Sequence, residues 1–377
     1  MKILLSSQDF GYGPTTQMFS FIKHLLIHGF AGEIFIKNNS SSKIFYDNFI
    51  KDNNGINIYL VDNYSGNYDK YIGFYDPEII FEGKRKGKKT IFLCNLTFLW
   101  NDELIKKYEN GVDFNNLNFQ NISNYHEIIL LGYLIADKIF IRKTDGINKE
   151  GLLYKLIKEK LSLIGPIIYP KIYKRNKKDF ILIQFGGQVN PISSIDFYEV
   201  YFKLIKNILS EINIEKIIIV NPLLKDITKK IFTKDKIITT LSQEKYQKLL
   251  SETQALFSPF GINTFFESSY YDIPNYILPE QHLGHIKSII KYFGNTKKIE
   301  SQSLLLYNLE KYNLNYENEI DFIKILQNKY ENLLEFNITI NTDFSYEKGK
   351  NLINLLNLNK DINSGIDIFI NEVIMMH

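Results

Sequence analysis

The segment Gln254-Ala-Leu-Phe-Ser-Pro-Phe-Gly-Ile-Asn-Thr-Phe-Phe-Glu267 decides the fold of this chain. Its apolar beginning predicts a short strand over residues 255–257, and the apolar spacing from Asn263 to Tyr271 predicts a helix. The turn between them contains Gly261, which can adopt positive φ at no steric cost. The free N–H groups of the first helical turn then point out of the carboxyl end of the strand, where they can bind phosphate.

Glu267 stands six positions after Gly261, which is nearly two helical turns. A carboxylate there can accept both hydroxyls of a ribose whose diphosphate lies at the helix start. The next candidate strand is followed by Pro279-Glu-Gln-His282, whose side chains are expected to emerge at the same rim. Glycine turns, helix caps and exposed glutamates also occur together in domains that bind nothing. The ordered spacing favours a nucleotide site over that alternative.

These residues resemble the donor-binding motif of GT-B glycosyltransferases. The plant-type motif reads G-x-N-[ST]-x-x-E-S, then hydrophobe-Pro, Pro and an acidic-Gln pair. The matching residues are, in order, Gly261, Asn263, Thr264, Glu267, Ser268, Ile273, Pro274, Pro279, Glu280 and Gln281.

The resemblance implies a role for each part of the motif. Gly261, Asn263 and Thr264 are expected to hold the diphosphate of a nucleotide sugar, and Glu267 its ribose. The pair 280–281 is expected to hold the donor sugar.

The chain departs from that motif at three points. Pro259 replaces a histidine that commonly precedes the glycine turn, and Asp272 replaces the usual glycine before hydrophobe-Pro. The gap before Gln281 is short, so that sugar contacts could fall to His282 or His285 instead. Phosphate binding is therefore expected to depend more on backbone N–H groups.

Length and composition indicate an ordinary globular chain of two to three domains. The 377 residues are 45% hydrophobic with a net charge of +3, which gives no support for nucleic-acid binding. Cys94 is the only cysteine, which excludes an intramolecular disulfide and a cysteine zinc cluster. No apolar run approaches the roughly 20 residues of a membrane span, and no signal peptide precedes the first strand. We expect a cytoplasmic protein without stable membrane insertion.

Strands and helices alternate in two blocks, which predicts a parallel α/β fold. The resemblance implies two Rossmann-like domains that face each other across a cleft, the GT-B architecture. We expect an acceptor-binding domain over 1–164, a linker over 165–179, a nucleotide-sugar domain over 180–340 and a helix over 341–377 that packs back on the first domain. Predicted strands are 2–6, 33–36, 56–61, 71–74, 90–94, 138–142, 180–185, 217–220, 237–239, 255–257 and 276–278; predicted helices include 15–28, 125–135, 197–210, 243–250 and 346–356.

Two further glycine loops follow the first strand of each block. Gly186, Gly187 and Gln188 lie where open α/β sheets bind ligands, and they resemble the diphosphate loop of the same fold. The loop 8–14 contains Gly11 and Gly13, and the helix start after it offers two threonine hydroxyls. Glycine turns are also common for steric reasons alone. The Gly-aromatic-Gly turn is similar to that of cytosylglucuronate synthases, which join glucuronate from a UDP donor to cytosine.

Glycosyl transfer needs stabilisation of the departing diphosphate and usually a base for the acceptor. Asp9 is the candidate base, with Asp102 and His126 in reserve, although a carboxylate beside a turn is more often a local cap. No metal and no cofactor are expected. The partners are a UDP-linked donor and a small-molecule acceptor, and the oligomeric state is open. A nucleotide-sugar epimerase or hydrolase of the same fold, and a non-catalytic nucleotide-binding protein, are the alternatives.

Overall fold

The computed structural model describes most of the chain as two compact units. One unit comprises Met1–Pro170 with Asp361–His377, and the other comprises Lys171–Lys360. The described residues are 1–8, 12–38, 43–53, 56–96, 102–114, 117, 122, 124–143, 147–170, 173–185, 193–239, 241–281, 319–335 and 365–375.

The first unit is built on a seven-stranded sheet in which every pairing is parallel. The strand order is β3-β2-β1-β4-β5-β6-β7, so the direction of chain progression reverses between β1 and β4. Open α/β sheets bind ligands at such a reversal, outside the carboxyl ends of the strands. The strands are β1 (Lys2–Ser7), β2 (Glu33–Lys37), β3 (Ile58–Val61), β4 (Lys70–Phe74), β5 (Lys89–Leu93), β6 (Lys138–Arg142) and β7 (Leu161–Ile164).

Helices connect these parallel strands and cover the sheet. In α1 the buried side chains Met18, Phe21, Ile22 and Leu25 follow the helical period and face the core. Asn124 caps α5, because its side chain accepts from the backbone N–H of His126. The helices are α1 (Tyr12–Ile27), α2 (Lys43–Asp52), α3 (Glu78–Arg85), α4 (Asp102–Lys106), α5 (Tyr125–Ile135) and α6 (Leu152–Ile157).

The second unit repeats the same topology on a smaller scale. Its five parallel strands have the order β10-β9-β8-β11-β12, with the reversal between β8 and β11. The strands are β8 (Phe180–Gln184), β9 (Glu215–Ile219), β10 (Lys236–Ile238), β11 (Leu256–Ser258) and β12 (Asn275–Ile277). The helices are α7 (Ile195–Ile208), α8 (Lys225–Ile231), α9 (Gln243–Glu252), α10 (Ile262–Tyr270) and α11 (Glu319–Glu335).

The last helix, α12 (Ile366–Met375), belongs to the first unit. Its Phe369 ring lies 4.3 Å from that of Phe21 and 4.4 Å from that of Phe140. The buried ammonium group of Lys70 donates to the carbonyl of Val373 near the end of the helix. Apolar packing and this cap therefore fix the end of the chain against the first sheet.

The predicted α/β fold and all eleven predicted strands are confirmed, the strands to within two residues at each end. Strand β7 was not predicted, and the predicted helix 346–356 lies outside the described residues. The predicted loop 8–14 is wrong in its second half, because α1 already begins at Tyr12. A proline is accepted in a first helical turn, where its missing N–H would have no acceptor. Within the described residues, no helix has the length and apolarity needed to cross a bilayer.

Candidate functional site

The candidate site lies at the carboxyl edge of the second sheet, beside the reversal between β8 and β11. After β11 the chain turns through Pro259 and Phe260, and Gly261 is the N-cap residue of α10. No side-chain cap closes this helix start in the described structure. Backbone N–H groups of the first turn therefore face the carboxyl end of β11 without a capping side chain. Asn263 and Thr264 in this turn are half-buried.

Gly261 does not use the left-handed backbone that glycine allows. Its φ is −127° and its ψ is 116°, an extended backbone that any residue adopts. The close neighbour is Thr264, whose Oγ1 would lie 3.3 Å from a Cβ added at position 261. The missing side chain of Gly261 therefore leaves space in front of the helix start, while its backbone conformation does not require glycine.

Glu267 lies on α10, about 9 Å further along the helix axis than Gly261. Its side chain is buried, and its Oε1 accepts two hydrogen bonds, 3.1 Å from Gln243 Nε2 and 3.0 Å from Gln247 Nε2. In the part of the chain that the structure describes, no donor reaches Oε2. Burial raises the pKa of Glu267 to about 7, while the two amide hydrogen bonds act in the opposite direction.

Helix α9 supplies the donors to this carboxylate from one face. Gln243, Tyr246 and Gln247 are three and four residues apart, so their side chains point the same way. The Tyr246 hydroxyl donates to Oε1 of Gln184, the last residue of β8, over 2.6 Å. One face of α9 thus fixes a side chain at the end of β8 and another on α10, the helix that follows β11. The sequence analysis missed these residues, and their spacing on one face was the available signal.

Buried hydrogen bonds attach α10 to the sheet beneath it. Ser258 Oγ donates to Asn275 Oδ1, and Asn275 Nδ2 donates to Ser268 Oγ, each over 3.3 Å. The turn from α10 to β12 places Asp272 at φ 55°, the left-handed region that glycine adopts most easily. This is the position at which the resembled motif has glycine, and aspartate tolerates the same backbone.

Residues 278–281, which follow β12 directly, are buried. Glu280 is fully buried, and the Tyr330 hydroxyl donates to its carbonyl oxygen over 2.6 Å. Gln281 Nε2 donates to the carbonyl oxygen of Phe185 over 3.0 Å and so ties the ends of β12 and β8 together. His282 and the loop residues Gly186, Gly187 and Gln188 lie outside the described residues.

The corresponding edge of the first sheet carries a different polar cluster. Asp76 follows β4; its Oδ2 accepts from the Ser6 hydroxyl and, over 3.3 Å, from the Tyr64 hydroxyl. Its Oδ1 accepts from the backbone N–H of Glu78 over 2.9 Å. Burial raises the pKa of the Asp76 carboxyl. The preceding residue, Tyr75, has φ 61°. The sequence analysis missed this cluster, because Asp-Pro before a helix is typical of an ordinary cap.

The residues predicted for the first unit are placed as follows. Asp9 and Gly11 lie outside the described residues, and Gly13 lies in the first turn of α1. The hydroxyls of Thr15 and Ser7 share a hydrogen bond of 2.9 Å, while the Thr16 hydroxyl donates to the carbonyl of Gly13. Both threonine hydroxyls at this helix start are therefore engaged within the protein.

The two reserve bases are exposed at helix starts. Asp102 is the first residue of α4, and His126 lies in the first turn of α5. Its neighbour Tyr125 accepts a hydrogen bond from the Gln8 side chain, which follows β1. Among the described residues, no group of three His, Cys, Asp or Glu side chains is arranged to hold a metal ion.

Comparison with solved structures identifies the fold. Os79 from O. sativa in complex with UDP has a TM-score of 0.57 at 12% identity, with 100% of each chain covered. UGT71G1 from Medicago truncatula, complexed with UDP-glucose, has a TM-score of 0.52 at 12% identity, covering 100% of this chain and 98% of that one. UGT89C1 from Arabidopsis thaliana, complexed with quercetin, has 0.51 at 11%, covering 98% of both.

These three proteins are UDP-sugar glycosyltransferases of the GT-B fold, and the present chain has the same fold. No protein-family model and no curated protein matches the sequence. At 11–12% identity the likeness concerns the fold, so the function must be argued from the site.

Proposed function

We propose that the protein is a metal-independent glycosyltransferase that moves a sugar from a UDP-linked donor to a small-molecule acceptor. One observation carries the proposal. The buried carboxylate of Glu267 has both internal donors on Oε1, and it follows a helix start without a side-chain cap at the reversal of the second sheet. A nucleoside diphosphate has the matching groups, because its phosphates accept N–H bonds and its ribose hydroxyls donate.

The roles assigned to the donor site follow from this match. The backbone of 261–264 binds the diphosphate, and Glu267 binds the ribose. Gln281, which joins the ends of β8 and β12, is assigned to the donor sugar together with Glu280. Gly186, Gly187 and Gln188 complete the diphosphate site in this proposal. The second unit is then the nucleotide-sugar domain and the first the acceptor domain.

The reaction has a simple balance of atoms and charge. A bond forms between the anomeric carbon and an acceptor oxygen or nitrogen, while the bond from that carbon to the phosphate oxygen breaks. UDP leaves with the electron pair, and the acceptor proton passes to a base. The helix start of α10 supplies electrostatic stabilisation of the leaving diphosphate. Asp9, Asp102 and His126 remain the proposed candidates for the base.

The structural neighbours support the choice of ligands. In those structures Os79 is in complex with UDP, UGT71G1 with UDP-glucose and UGT89C1 with quercetin. The Gly-aromatic-Gly resemblance adds UDP-glucuronate and cytosine as a specific donor and acceptor pair to examine. A cytoplasmic location also stays a prediction, which the single cysteine favours.

A donor screen tests the proposal directly. UDP- and TDP-sugars are incubated with a cell extract as acceptor source, or with cytosine, and the products are identified by mass spectrometry. A glycosylated acceptor supports the proposal. Free sugar or an epimer without acceptor indicates the hydrolase or epimerase alternative. Calorimetric binding of UDP without turnover of any donor indicates a non-catalytic nucleotide-binding protein. Absence of heat with UDP and UDP-sugars at millimolar concentration overturns the proposal.

A further inference from the structure

Two glutamines approach the same oxygen of Glu267 but differ in their surroundings. Gln243 begins α9 and is half-buried, whereas Gln247 lies one turn later and is only 1% exposed. Gln243 can turn towards a ligand or solvent. Gln247 has no such freedom, because rotating its amide away would leave a buried N–H group without an acceptor, which is costly.

The shared oxygen has a geometric consequence. A carboxylate can accept at both oxygens, yet both amide donors of α9 reach Oε1 of Glu267, at 3.1 and 3.0 Å. The opposite oxygen, Oε2, is therefore the one that remains for a donor from outside. Because Gln247 is fixed by burial, it is the partner that sets this orientation.

We propose that Gln247 is a positioning residue: it anchors Oε1 of Glu267 so that Oε2 faces the ribose hydroxyls of the nucleotide. The inference rests on the proposed function of this site and assigns no ligand contact to Gln247 itself. Its amide donates to a carboxylate, and such a hydrogen bond favours the charged over the protonated form. Gln247 therefore also favours the protonation state that accepts two ribose hydroxyls.

The charges around Glu267 make this role measurable by pH. Burial raises the pKa of Glu267 to about 7, and the amide of Gln247 opposes that rise. Within the described chain, the titratable group that interacts electrostatically with Glu267 is Tyr246. Burial raises the pKa of its hydroxyl well above the ordinary value, so it stays neutral near pH 7. A pH midpoint near 7 in ligand binding that is absent from Glu267→Gln then reports on Glu267 and not on His282 or His285.

The test measures UDP-glucose binding by calorimetry between about pH 5.5 and 8.5. UDP-glucose is preferred to UDP because the terminal phosphate of UDP itself titrates near pH 6, which is close to the pKa of Glu267. In the unmodified protein, affinity should fall as the pH drops through the midpoint, because protonated Glu267 loses an acceptor oxygen. Gln247→Leu should move that midpoint upward by about one unit, because a hydrogen bond to the carboxylate is lost.

Gln243→Leu is the matched control. It removes the other hydrogen bond to Oε1 at a half-buried position, where water can replace the amide, so a smaller shift of the midpoint is expected. Thermal unfolding of each variant reports whether it folds. Where Gln247→Leu does not fold, Gln247→Met replaces it, because the unbranched side chain retains the length of glutamine.

The outcomes separate the two proposals. An unchanged midpoint in a folded Gln247 variant overturns the positioning role while UDP-glucose binding to the unmodified protein still supports the proposed function. Failure of both variants to fold assigns Gln247 to the fold alone and likewise overturns its role. Absence of binding to the unmodified protein at every pH overturns the proposed function and this inference with it.

Discussion

The two sheets have the same reversal of strand order, and each places a buried carboxylate beside it, but the carboxylates are held differently. Asp76 in the first unit has donors at both oxygens, from Ser6 and Tyr64 on one side and a backbone N–H on the other. Glu267 in the second unit has both donors at Oε1. Both oxygens of Asp76 thus accept hydrogen bonds within the protein. In the proposed function, Oε2 of Glu267 is the oxygen that accepts from a ligand.

The difference shows how the same topology can serve the fold or a site. A carboxylate bound at both oxygens satisfies the loop around it and fixes the start of α3, as a local cap does. Burial raises the pKa of both carboxyls, that of Glu267 to about 7, but only Glu267 has an oxygen that no donor reaches in the described part of the chain. A buried carboxylate oxygen that has no internal donor is the stronger indication of function.

Removal of Asp76 should give the largest effect on stability. We expect Asp76→Ala to lower the free energy of unfolding by about 4 kcal/mol, because three donors lose their acceptor in a buried place. Denaturant unfolding measures the change, with Asp76→Asn as the milder companion that keeps one acceptor oxygen. UDP-glucose affinity of folded protein should not change. A loss below about 1 kcal/mol would show that the network contributes little to the fold.

The pH dependence of stability should isolate the contribution of Glu267. Since the folded-state pKa of Glu267 is raised, its contribution is fully present below its unfolded pKa near 4.5 and is lost as the pH rises through about 7. Relative to Glu267→Gln, the unmodified protein should lose on the order of 3 kcal/mol over that range. Asp76 is common to both proteins and cancels. Parallel stability curves would contradict a raised pKa at Glu267.

Glu267→Gln should also weaken ligand binding, with a smaller change in free energy than the change in stability. Glu267→Gln keeps an oxygen for both α9 amides but presents an N–H₂ group in place of Oε2. We expect UDP-glucose affinity at pH 8 to fall about thirtyfold, which is about 2 kcal/mol for a lost hydrogen bond to a charged group. Calorimetry measures it, with the exposed Glu211→Gln as the control. Equal affinity in both variants would remove Glu267 from the site.

A methyl group in front of α10 should have a modest effect. Gly261→Ala keeps an allowed backbone, and the added Cβ lies 3.3 Å from Thr264 Oγ1, so stability should be nearly unchanged. Affinity for UDP should fall about threefold, as the methyl group crowds the diphosphate position. Gly151→Ala is the matched control, because Gly151 is also an extended N-cap residue without a side-chain cap. Equal effects of both substitutions would argue against diphosphate at α10.

The smallest effect is expected at Asp272, one of the two left-handed residues. Asp272 is exposed, so Asp272→Gly should raise the free energy of unfolding by about 0.5 kcal/mol, while Asp272→Ala should lower it. Tyr75 has the same backbone but is buried, and its hydroxyl accepts from Asn95 over 2.6 Å, so Tyr75→Gly should be strongly destabilising. Thermal unfolding measures all three. Stabilisation by glycine at both positions would contradict this distinction.

The elements that were predicted well are those whose signal is local. The strands appear as short apolar runs, and the predicted helix 125–135 matches α5 to the residue. Apolar residues fill that helix, and Asn124 caps it in the structure. The order of Gly261, Asn263 and Glu267 likewise placed a helix start and a carboxylate on one element. The φ of Gly261 could not be predicted, because a glycine in a turn does not reveal which of its allowed conformations the turn uses.

The sequence by itself determined the alternation of strands and helices and the spacing of the candidate residues of the sugar-donor site. Both depend on backbone propensity and hydrophobic period, which are properties of residues close together in the chain. Only the tertiary structure decided that Gln247 reaches Glu267 and that Ser6 reaches Asp76. Glutamine and serine are equally compatible with a solvated surface, and their partners are distant in sequence. Which oxygen of a buried carboxylate stays open depends on that packing, and the proposed activity depends on the open oxygen.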